Sequence, residues 1–217
     1  MDFEKKTPTP AAEIRTIRAK KGFENPIHIS FDEWGVLSRN FLTVLPVAQS
    51  LNSFVRHADV VKMANFTLLT SLLSTDPQKG SYKTPLFHTF KLFSNNCLGH
   101  SIDTWVDCET FSTKKSEAVP YLDVTSVYSK ESNTVYINVV NRHKDKSIKA
   151  DILSSSGEFT GKAEASVLTT NSLEEAFTFD KQEQYKPVVK EVKADKSKIT
   201  YDFPPHSFVQ IKVAVKR

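Results

Sequence analysis

The segment IHISFDEWG, residues 27–35, decides how the first half of the chain is interpreted. Apolar residues occupy alternate positions up to Phe31, which is the period of a β-strand with one buried face. The strand is expected to stop at Asp32, Glu33 and Trp34, two acidic residues followed by an aromatic one. The C-terminal ends of parallel strands carry the catalytic groups of β/α barrels. This segment is therefore both a fold marker and the candidate site.

Helical patterns lie on both sides of this strand. Residues 14–21 end in basic side chains and are followed by Gly22, as expected at a helix C-terminus. Apolar residues from Leu45 to Ala58 recur at spacings of three and four, which predicts a helix with one buried face. Residues 85–97 predict a second amphipathic helix that begins at a proline.

A second strand is expected at Phe66–Leu73, followed by a loop of turn-forming residues at 74–81. The order is then strand, helix, strand, helix, which is typical of parallel β/α architecture. A complete (β/α)₈ barrel needs about 250 residues. Two units cannot close one, so this half is either a small open fold or a piece of something larger.

After about residue 115 the pattern changes to short alternating strands, typical of an antiparallel sandwich. Residues 141–145 (NRHKD) are interpreted as a hairpin connection. The tyrosines at 121, 128 and 136 could form a carbohydrate-binding face, but packing is the favoured interpretation. The predicted strands lie within 124–128, 134–141, 159–167, 199–203 and 208–215.

Composition excludes several classes of function. The net charge of +4 is dispersed, so nucleic acid is not an expected partner. No stretch is apolar for long enough to cross a bilayer, and no membrane partner is expected. Cys97 and Cys108 match no metal motif. Two buried free thiols are the favoured interpretation and a structural disulfide is the alternative, and the histidines show no spacing typical of paired metal ligands. We expect no metal and no cofactor; the compartment is unknown.

The residues themselves leave the roles at the strand end open. Adjacent strand positions face opposite sides, so only one of Asp32 and Glu33 should face a site. Trp34 could stack on a sugar. The alternative is an acidic turn with a packing tryptophan. Further along, Arg56 and Asp59 are expected to pair on one helix face, while Asn65 either lines a site mouth or caps that helix.

Several segments together resemble the α-L-arabinofuranosidases of glycoside hydrolase family 51. The run RHADVVKMAN, within residues 51–65, is long and specific. The resemblance covers nearly the whole chain from about residue 14. The segments that carry it are 29–34 (ISFDEW), 51–65 (LNSFVRHADVVKMAN), 119–124 (VPYLDV), 139–143 (VVNRH) and 203–207 (FPPHS).

The resemblance implies an α/β plus all-β chain. Residues 1–115 would be the last two βα units of a (β/α)₈ TIM barrel, and residues 116–217 an antiparallel jelly-roll-like β-sandwich. Glu33 would be the nucleophile of a retaining glycosidase and Trp34 a substrate-binding residue. The family's general acid/base lies in an Asn-Glu motif on an earlier strand, and no such motif precedes Glu33. We therefore expect a truncated chain that lacks its true N-terminus and is inactive alone.

The resemblance also implies the substrate and partners. The enzyme would release non-reducing-end α-L-arabinofuranosyl residues from arabinose-containing glycans and would be a homo-oligomer at full length. Gly35 and Val36-Leu37 depart from the family's Asn and Val-Trp, and Thr84 lies near the place of a substrate-contacting Gln. These departures put the sugar preference in doubt. A β-xylosidase of the same clan and a non-catalytic carbohydrate-binding or scaffold protein are the alternatives.

Overall fold

The computed structural model describes residues 3–36, 38–67, 72–114 and 116–216. The first half contains four helices and a few short strands, and the second half is almost entirely β-structure. The helices are α1 (Phe3–Lys6), α2 (Pro8–Lys21), α3 (Val44–Arg56) and α4 (Pro85–Asn96). The strands of the first half are β1 (Ile29–Trp34), β2 (Val61–Phe66), β3 (Leu73–Asp76), β4 (Gly80–Lys83), β5 (His100–Ile102) and β6 (Thr110–Thr113). Those of the second are β7 (Ser116–Pro120), β8 (Leu122–Ser129), β9 (Thr134–Asn141), β10 (Ile148–Leu153), β11 (Glu158–Leu168), β12 (Val188–Asp195), β13 (Lys198–Phe203) and β14 (Ser207–Lys216).

Strand β1, helix α3 and strand β2 form a β-α-β unit in which the two strands pair in parallel. The predicted helix ends are confirmed. Helix α2 stops at Gly22, whose φ of 65° is left-handed and whose N–H donates to the carbonyl of Arg18. Helix α4 begins at Pro85, where a missing N–H costs nothing.

The strand predicted at Phe66–Leu73 is displaced. β2 ends at Phe66, and residues 68–71 lie outside the described part of the chain, as does Leu37. The predicted loop at 74–81 is wrong, because most of it belongs to the antiparallel hairpin β3–β4. Its turn formers close that hairpin, since Asp76 Oδ1 accepts the N–H groups of Gln78 and Lys79.

The second half is built on an eight-stranded antiparallel sheet in the order β10-β13-β12-β11-β14-β9-β8-β5. β12 pairs with β11 through residues 188–193 and with β13 through Ala194 and Asp195, so it passes from one layer to the other. β5 joins this sheet, and β6 pairs with β7 across residue 115. The expected domain boundary at residues 115 and 116 therefore falls between two strands that pair with each other.

Both faces of the sheet are covered. Along β14, Phe208 points toward the helices and stacks on Phe93 of α4 with ring centroids 5.3 Å apart, while Val209 faces the interior of the sandwich. β9 alternates in the same way, with Val139 inside and Val140 toward the helices. Neighbouring residues in these strands are therefore both apolar, because one packs against the helices and the next packs inside the sandwich.

Two side-chain expectations in the sandwich have clear outcomes. The hairpin predicted at 141–145 is wrong, because β9 pairs with β8 and β14 whereas β10 pairs with β13. Asn141 anchors this crossing by donating to the carbonyls of Lys146, Phe203 and Pro204.

The packing interpretation of the tyrosines is supported, since those at 128 and 136 are buried and the one at 121 packs between two rings.

Cys97 and Cys108 are both free thiols. Burial raises the pKa of Cys97 to about 11, so this thiol is protonated at neutral pH. None of the described helices is long and apolar enough to span a membrane. Within the described ranges, no three His, Cys, Asp or Glu side chains lie together as a metal ion would need.

Candidate active site

The end of β1 carries a β-bulge formed by Asp32 and Glu33. Phe31 pairs with Ala64 and Trp34 pairs with Phe66, so two residues of β1 lie opposite one residue of β2. An extra residue interrupts the alternation of faces. As a result both carboxylates are exposed, although adjacent strand positions would normally face opposite sides.

The two carboxylates differ in their contacts. Asp32 Oδ1 accepts a hydrogen bond of 2.7 Å from Ser30 Oγ, so it is tied to its own strand. The Glu33 carboxylate makes no hydrogen bond or ion pair with any residue that the structure describes. It is therefore the one that is free to meet a ligand from outside the chain.

Asn65 lies opposite this bulge on β2. It is exposed, and helix α3 ends nine positions earlier at Arg56, so the helix-cap interpretation of Asn65 is wrong. Parallel strands end at the same edge of a sheet, which brings Asn65 next to the carboxylates. The alternative, a place at the mouth of a site, agrees with this position.

Trp34 is buried in an aromatic cluster, with 2% of its surface exposed. Its ring centroid lies 4.9 Å from that of Phe66, 5.1 Å from Phe54 and 5.7 Å from Phe90, and Phe3 packs on its edge. Its indole face is thus occupied by the protein. Packing explains this position, and the sugar contact expected for Trp34 stays a prediction.

The chain segments that leave β1 and β2 remain close together. The carbonyl of Trp34 accepts the N–H and the hydroxyl of Thr67 at 2.7 and 3.1 Å. A Cβ atom on Gly35 would lie 3.1 Å from the carbonyl oxygen of Thr67. The glycine that departs from the family pattern therefore permits this close approach.

A charged network joins the two halves of the chain. The predicted pair of Arg56 with Asp59 is not formed. Instead Arg56 Nε donates to Glu4 Oε1 at 2.7 Å and its Nη2 to Asp123 Oδ1 at 2.9 Å. Asp123 is buried and also accepts from Asn52 Nδ2 at 3.0 Å. No local sequence pattern indicates this network, since its members are far apart along the chain.

Electrostatics favour the charged forms of Glu4 and Arg56. Burial alone would raise the pKa of Glu4, but Arg56, with smaller contributions from Ser53 and His57, lowers it. Burial likewise opposes the charge of Arg56, and Asp123 and Glu4 reverse that effect, so the pKa of Arg56 is raised. The network is thus a fixed ionic link between α1, α3 and β8.

Comparison with known proteins places these features in context. The family model described as "Alpha-L-arabinofuranosidase C-terminal domain" matches residues 32–207. An intracellular exo-alpha-(1->5)-L-arabinofuranosidase of Halalkalibacterium halodurans is 26% identical over 157 residues, covering 61% of this chain and 31% of that protein. Alpha-L-arabinofuranosidase C of Emericella nidulans is 28% identical over 208 residues, covering 85% and 39%. The chain spans about a third of the length of these relatives.

Solved structures agree on the fold. A family 51 alpha-L-arabinofuranosidase of Bifidobacterium longum matches with a TM-score of 0.85 and 16% identity, over 98% of this chain and 47% of that one. An alpha-L-arabinofuranosidase of Thermotoga maritima, solved as an arabinose complex, matches with a TM-score of 0.76 and 22% identity, over 90% and 44%. At these identities the likeness concerns the fold alone.

Proposed function

Because the chain belongs to the alpha-L-arabinofuranosidase C-terminal domain family, we propose that it forms the C-terminal part of a retaining α-L-arabinofuranosidase in which Glu33 is the nucleophile. The observation that carries the proposal is the bulge at the end of β1. It exposes the Glu33 carboxylate at the C-terminal edge of a parallel strand pair, and no residue that the structure describes bonds to this carboxylate. Barrel enzymes place their catalytic groups at this edge.

The architecture fits the same proposal. β1, α3 and β2 have the parallel strand-helix-strand arrangement of a barrel unit, and α4 would be the helix that ends the barrel. The eight-stranded antiparallel sheet would be the accompanying jelly-roll-like sandwich. The remaining barrel strands would pair along the edges of β1 and β2.

The proposed reaction uses two carboxyl groups and water. The carboxylate of Glu33 attacks the anomeric carbon while a carboxylic acid from the rest of the enzyme protonates the leaving oxygen. In retaining enzymes these two groups stand about 5–5.5 Å apart. Water, activated by the second carboxylate, then hydrolyses the glycosyl-enzyme ester and frees Glu33. This chemistry requires no metal or cofactor.

The proposed substrates are arabinose-containing polysaccharides and oligosaccharides, from which non-reducing-end arabinofuranosyl residues are released. The names of the relatives support this class of sugar. In this role Asp32 stays bound to Ser30, and Trp34 holds the strand end in the aromatic cluster. We propose homo-oligomerisation for the full-length enzyme only.

The test is Glu33→Gln in the full-length enzyme, assayed with 4-nitrophenyl α-L-arabinofuranoside. Loss of a nucleophile should lower kcat by about 10⁴-fold or more, because no covalent intermediate can form. Asp32→Asn is the matched control and should cost far less. Azide should restore turnover in Glu33→Gly by taking the place of the carboxylate. Normal turnover in Glu33→Gln would refute the assignment.

Three further measurements address the alternatives and the expected inactivity of the chain alone. The corresponding β-xyloside, assayed in parallel, tests whether the enzyme is a xylosidase of the same clan. The 217-residue chain alone is expected to release no nitrophenol from either substrate, because the proposal places the acid/base outside it. Retention of this chain by arabinan in affinity electrophoresis, with no hydrolysis by the full-length enzyme, would favour the carbohydrate-binding or scaffold role.

A further inference from the structure

The turn 204–207 (PPHS), which leads into β14, has an unusual backbone at His206. The φ angle of His206 is 37°, in the left-handed region that residues other than glycine rarely adopt. A position of this kind persists only where the surrounding contacts hold it, and such positions are frequent in switch regions. The backbone N–H of His206 makes one such contact, to the carbonyl of His143 at 2.9 Å.

Both ring nitrogens of His206 lie against backbone carbonyl groups. Nδ1 is 2.6 Å from the carbonyl oxygen of Lys144, and Nε2 is 2.7 Å from that of Thr170. A carbonyl oxygen can only accept a hydrogen bond, so each nitrogen must carry a proton to make one. The neutral imidazole has one N–H, whereas the imidazolium has two. The complete pair of bonds therefore requires the protonated ring.

The Thr170 carbonyl belongs to a segment that we call the strap, residues 169–178, between β11 and the 3-10 helix Phe179–Tyr185. The strap runs from the sandwich to residues 39–42, which follow the strand end that carries Glu33. Three backbone pairings join the strap to these residues: Leu173 with Leu42 at 2.7 Å, Phe177 with Arg39 at 3.0 Å, and Ala176 with Asn40 in an antiparallel bridge.

The charged side chains on the elements around His206 do not bond to its ring in the described part of the chain. Arg142 contacts Asp123, and Glu175 pairs with Lys181. The others are exposed: Lys144, Asp145 and Lys146 in the loop after β9, Asp202 on β13, and Glu174 in the strap. The ring of His206 is thus held by backbone carbonyls alone, and its own charge decides how many of them it can bind.

A second titratable ring, that of His143, lies in the loop after β9. Its Nδ1 atom accepts the N–H groups of Asp145 and Lys146 at 3.1 and 3.0 Å. Protonation of that nitrogen would break both bonds, so acid acts on His143 in the opposite sense to His206. The two rings can therefore be distinguished by the direction of their response.

We propose that His206 is a pH-sensitive clasp that, as an imidazolium, fastens the strap to the loop after β9. The neutral ring keeps one N–H, so one carbonyl loses its donor. We assign that loss to Thr170, because the loop side is also held by the backbone bond from His206 to His143. Histidine gains and loses its proton between about pH 5 and 8. The clasp is therefore closed in acid, and its stabilisation is lost as the pH rises.

The test is hydrogen–deuterium exchange of the 217-residue chain at about pH 5.5 and about pH 8, with rates corrected for the intrinsic effect of pH. The hydrogen-bonded strap amides of Glu175, Phe177 and Thr178 report on release. Their protection should be about tenfold greater in acid, as expected for a hydrogen bond to a charged group. Burial of His88 destabilises the fold in acid, so it cannot produce this gain.

Variants assign the response to one ring. His206→Asn removes the titrating group but keeps a residue type that tolerates the left-handed backbone. Its strap should exchange at both pH values as fast as the unchanged chain does at the higher one. His143→Gln is the matched control, because His143 lies beside the clasp without contacting the strap through its ring. Its strap should keep the full response to pH.

Equal protection of the strap at the two pH values in the unchanged chain would overturn the clasp. A response that persists in His206→Asn, or one that disappears in His143→Gln, would overturn it as well. If His206→Asn does not fold, the unchanged chain and His143→Gln still decide the question. Hydrolysis plays no part in this measurement, so its failure is distinct from failure of the nucleophile proposal.

Discussion

Asp32 and Glu33 occupy the two positions of a bulge opposite Asn65, and the bulge exposes both carboxylates. Bulges are frequent beside active sites because they redirect a side chain without changing the rest of the strand. Here the bulge lets Trp34 return to the buried face while Glu33 stays in solvent. The bulge thus allows Trp34 to pack in the aromatic cluster while its neighbour Glu33 is exposed.

The burial of Trp34 leads to a prediction about stability. Trp34→Ala should lower the free energy of unfolding by about 3–5 kcal/mol, because it leaves a large cavity among packed rings. Trp105→Ala is the matched control, since the Trp105 side chain is 85% exposed and should cost under about 0.5 kcal/mol. Urea unfolding of both variants makes the comparison. Equal losses would mean that the cluster around Trp34 is not a packed core.

His88 predicts a pH dependence of stability. Burial, the largest cause, and nearby lysines lower its pKa in the folded chain below the ordinary value of 6.5. As pH falls below about 6.5, the unfolded chain therefore takes up a proton that the folded chain resists, and stability is lost. His88→Gln should reduce this loss between about pH 7 and 5.5.

The exposed residue His100 provides the control for this effect. The variant His100→Gln should retain the full slope of stability against pH, as measured by thermal unfolding across the same range. If His88→Gln and the unchanged chain have the same slope, burial of His88 does not drive the effect.

At the scale of the elements, the junction of α1, α3 and β8 is held by ions rather than by apolar contacts alone. Arg56, at the end of α3, contacts Glu4 of α1 and Asp123 of β8. Arg142, just after β9, approaches the same carboxylate with its Nη2 atom at 3.4 Å. The buried carboxylate therefore serves two guanidinium groups, and its removal leaves both without their shared partner.

Asp123→Asn should accordingly lower the free energy of unfolding by about 3 kcal/mol, as is usual when one partner of a buried ion pair is lost. Asp195→Asn is the surface control. Its carboxylate lies 3.1 Å from Lys193 in solvent, and loss of such a pair should cost less than about 1 kcal/mol. Chemical denaturation distinguishes the two, and an Asp123→Asn variant as stable as the control would contradict the ionic junction.

At the scale of the whole molecule, two apolar cores share one sheet. One lies between the helices and the outer face of the sheet, and the other lies inside the sandwich. The parallel pair β1–β2 lies apart from this sheet, and no other described strand pairs with it. Small parallel sheets with open edges are prone to associate with other chains.

We therefore expect the isolated chain to self-associate through β1 and β2. Sedimentation velocity over a concentration series should show growth in mass. Met63→Lys places a charge on the exposed face of β2, where Met63 is 57% exposed, and should reduce association. Val189→Lys, on β12 at 62% exposure, is the control and should leave it unchanged. A monomer at every concentration would contradict the prediction.

Local features were predictable because they depend on neighbours in sequence. Gly22 ends α2 through its left-handed φ, Pro85 begins α4, and alternation identifies β9 and β14. The resemblance carried by segments such as RHADVVKMAN predicted the family that the comparisons confirm. In these cases backbone geometry or side-chain period is set within a few residues, so sequence by itself determined the outcome.

Tertiary structure decided where distant segments meet. The bulge at Glu33 exists only relative to the register of β2, and the burial of Trp34 depends on rings from α1, α3, β2 and α4. Arg56 pairs with residues 52 and 67 positions away rather than with Asp59, which lies beyond the end of α3. The physical reason is the same throughout: burial and ion pairing favour contacts between residues far apart in sequence, which no local pattern records. Glu33 could therefore be named as a candidate from the sequence and its resemblance, whereas the bulge that exposes it could not.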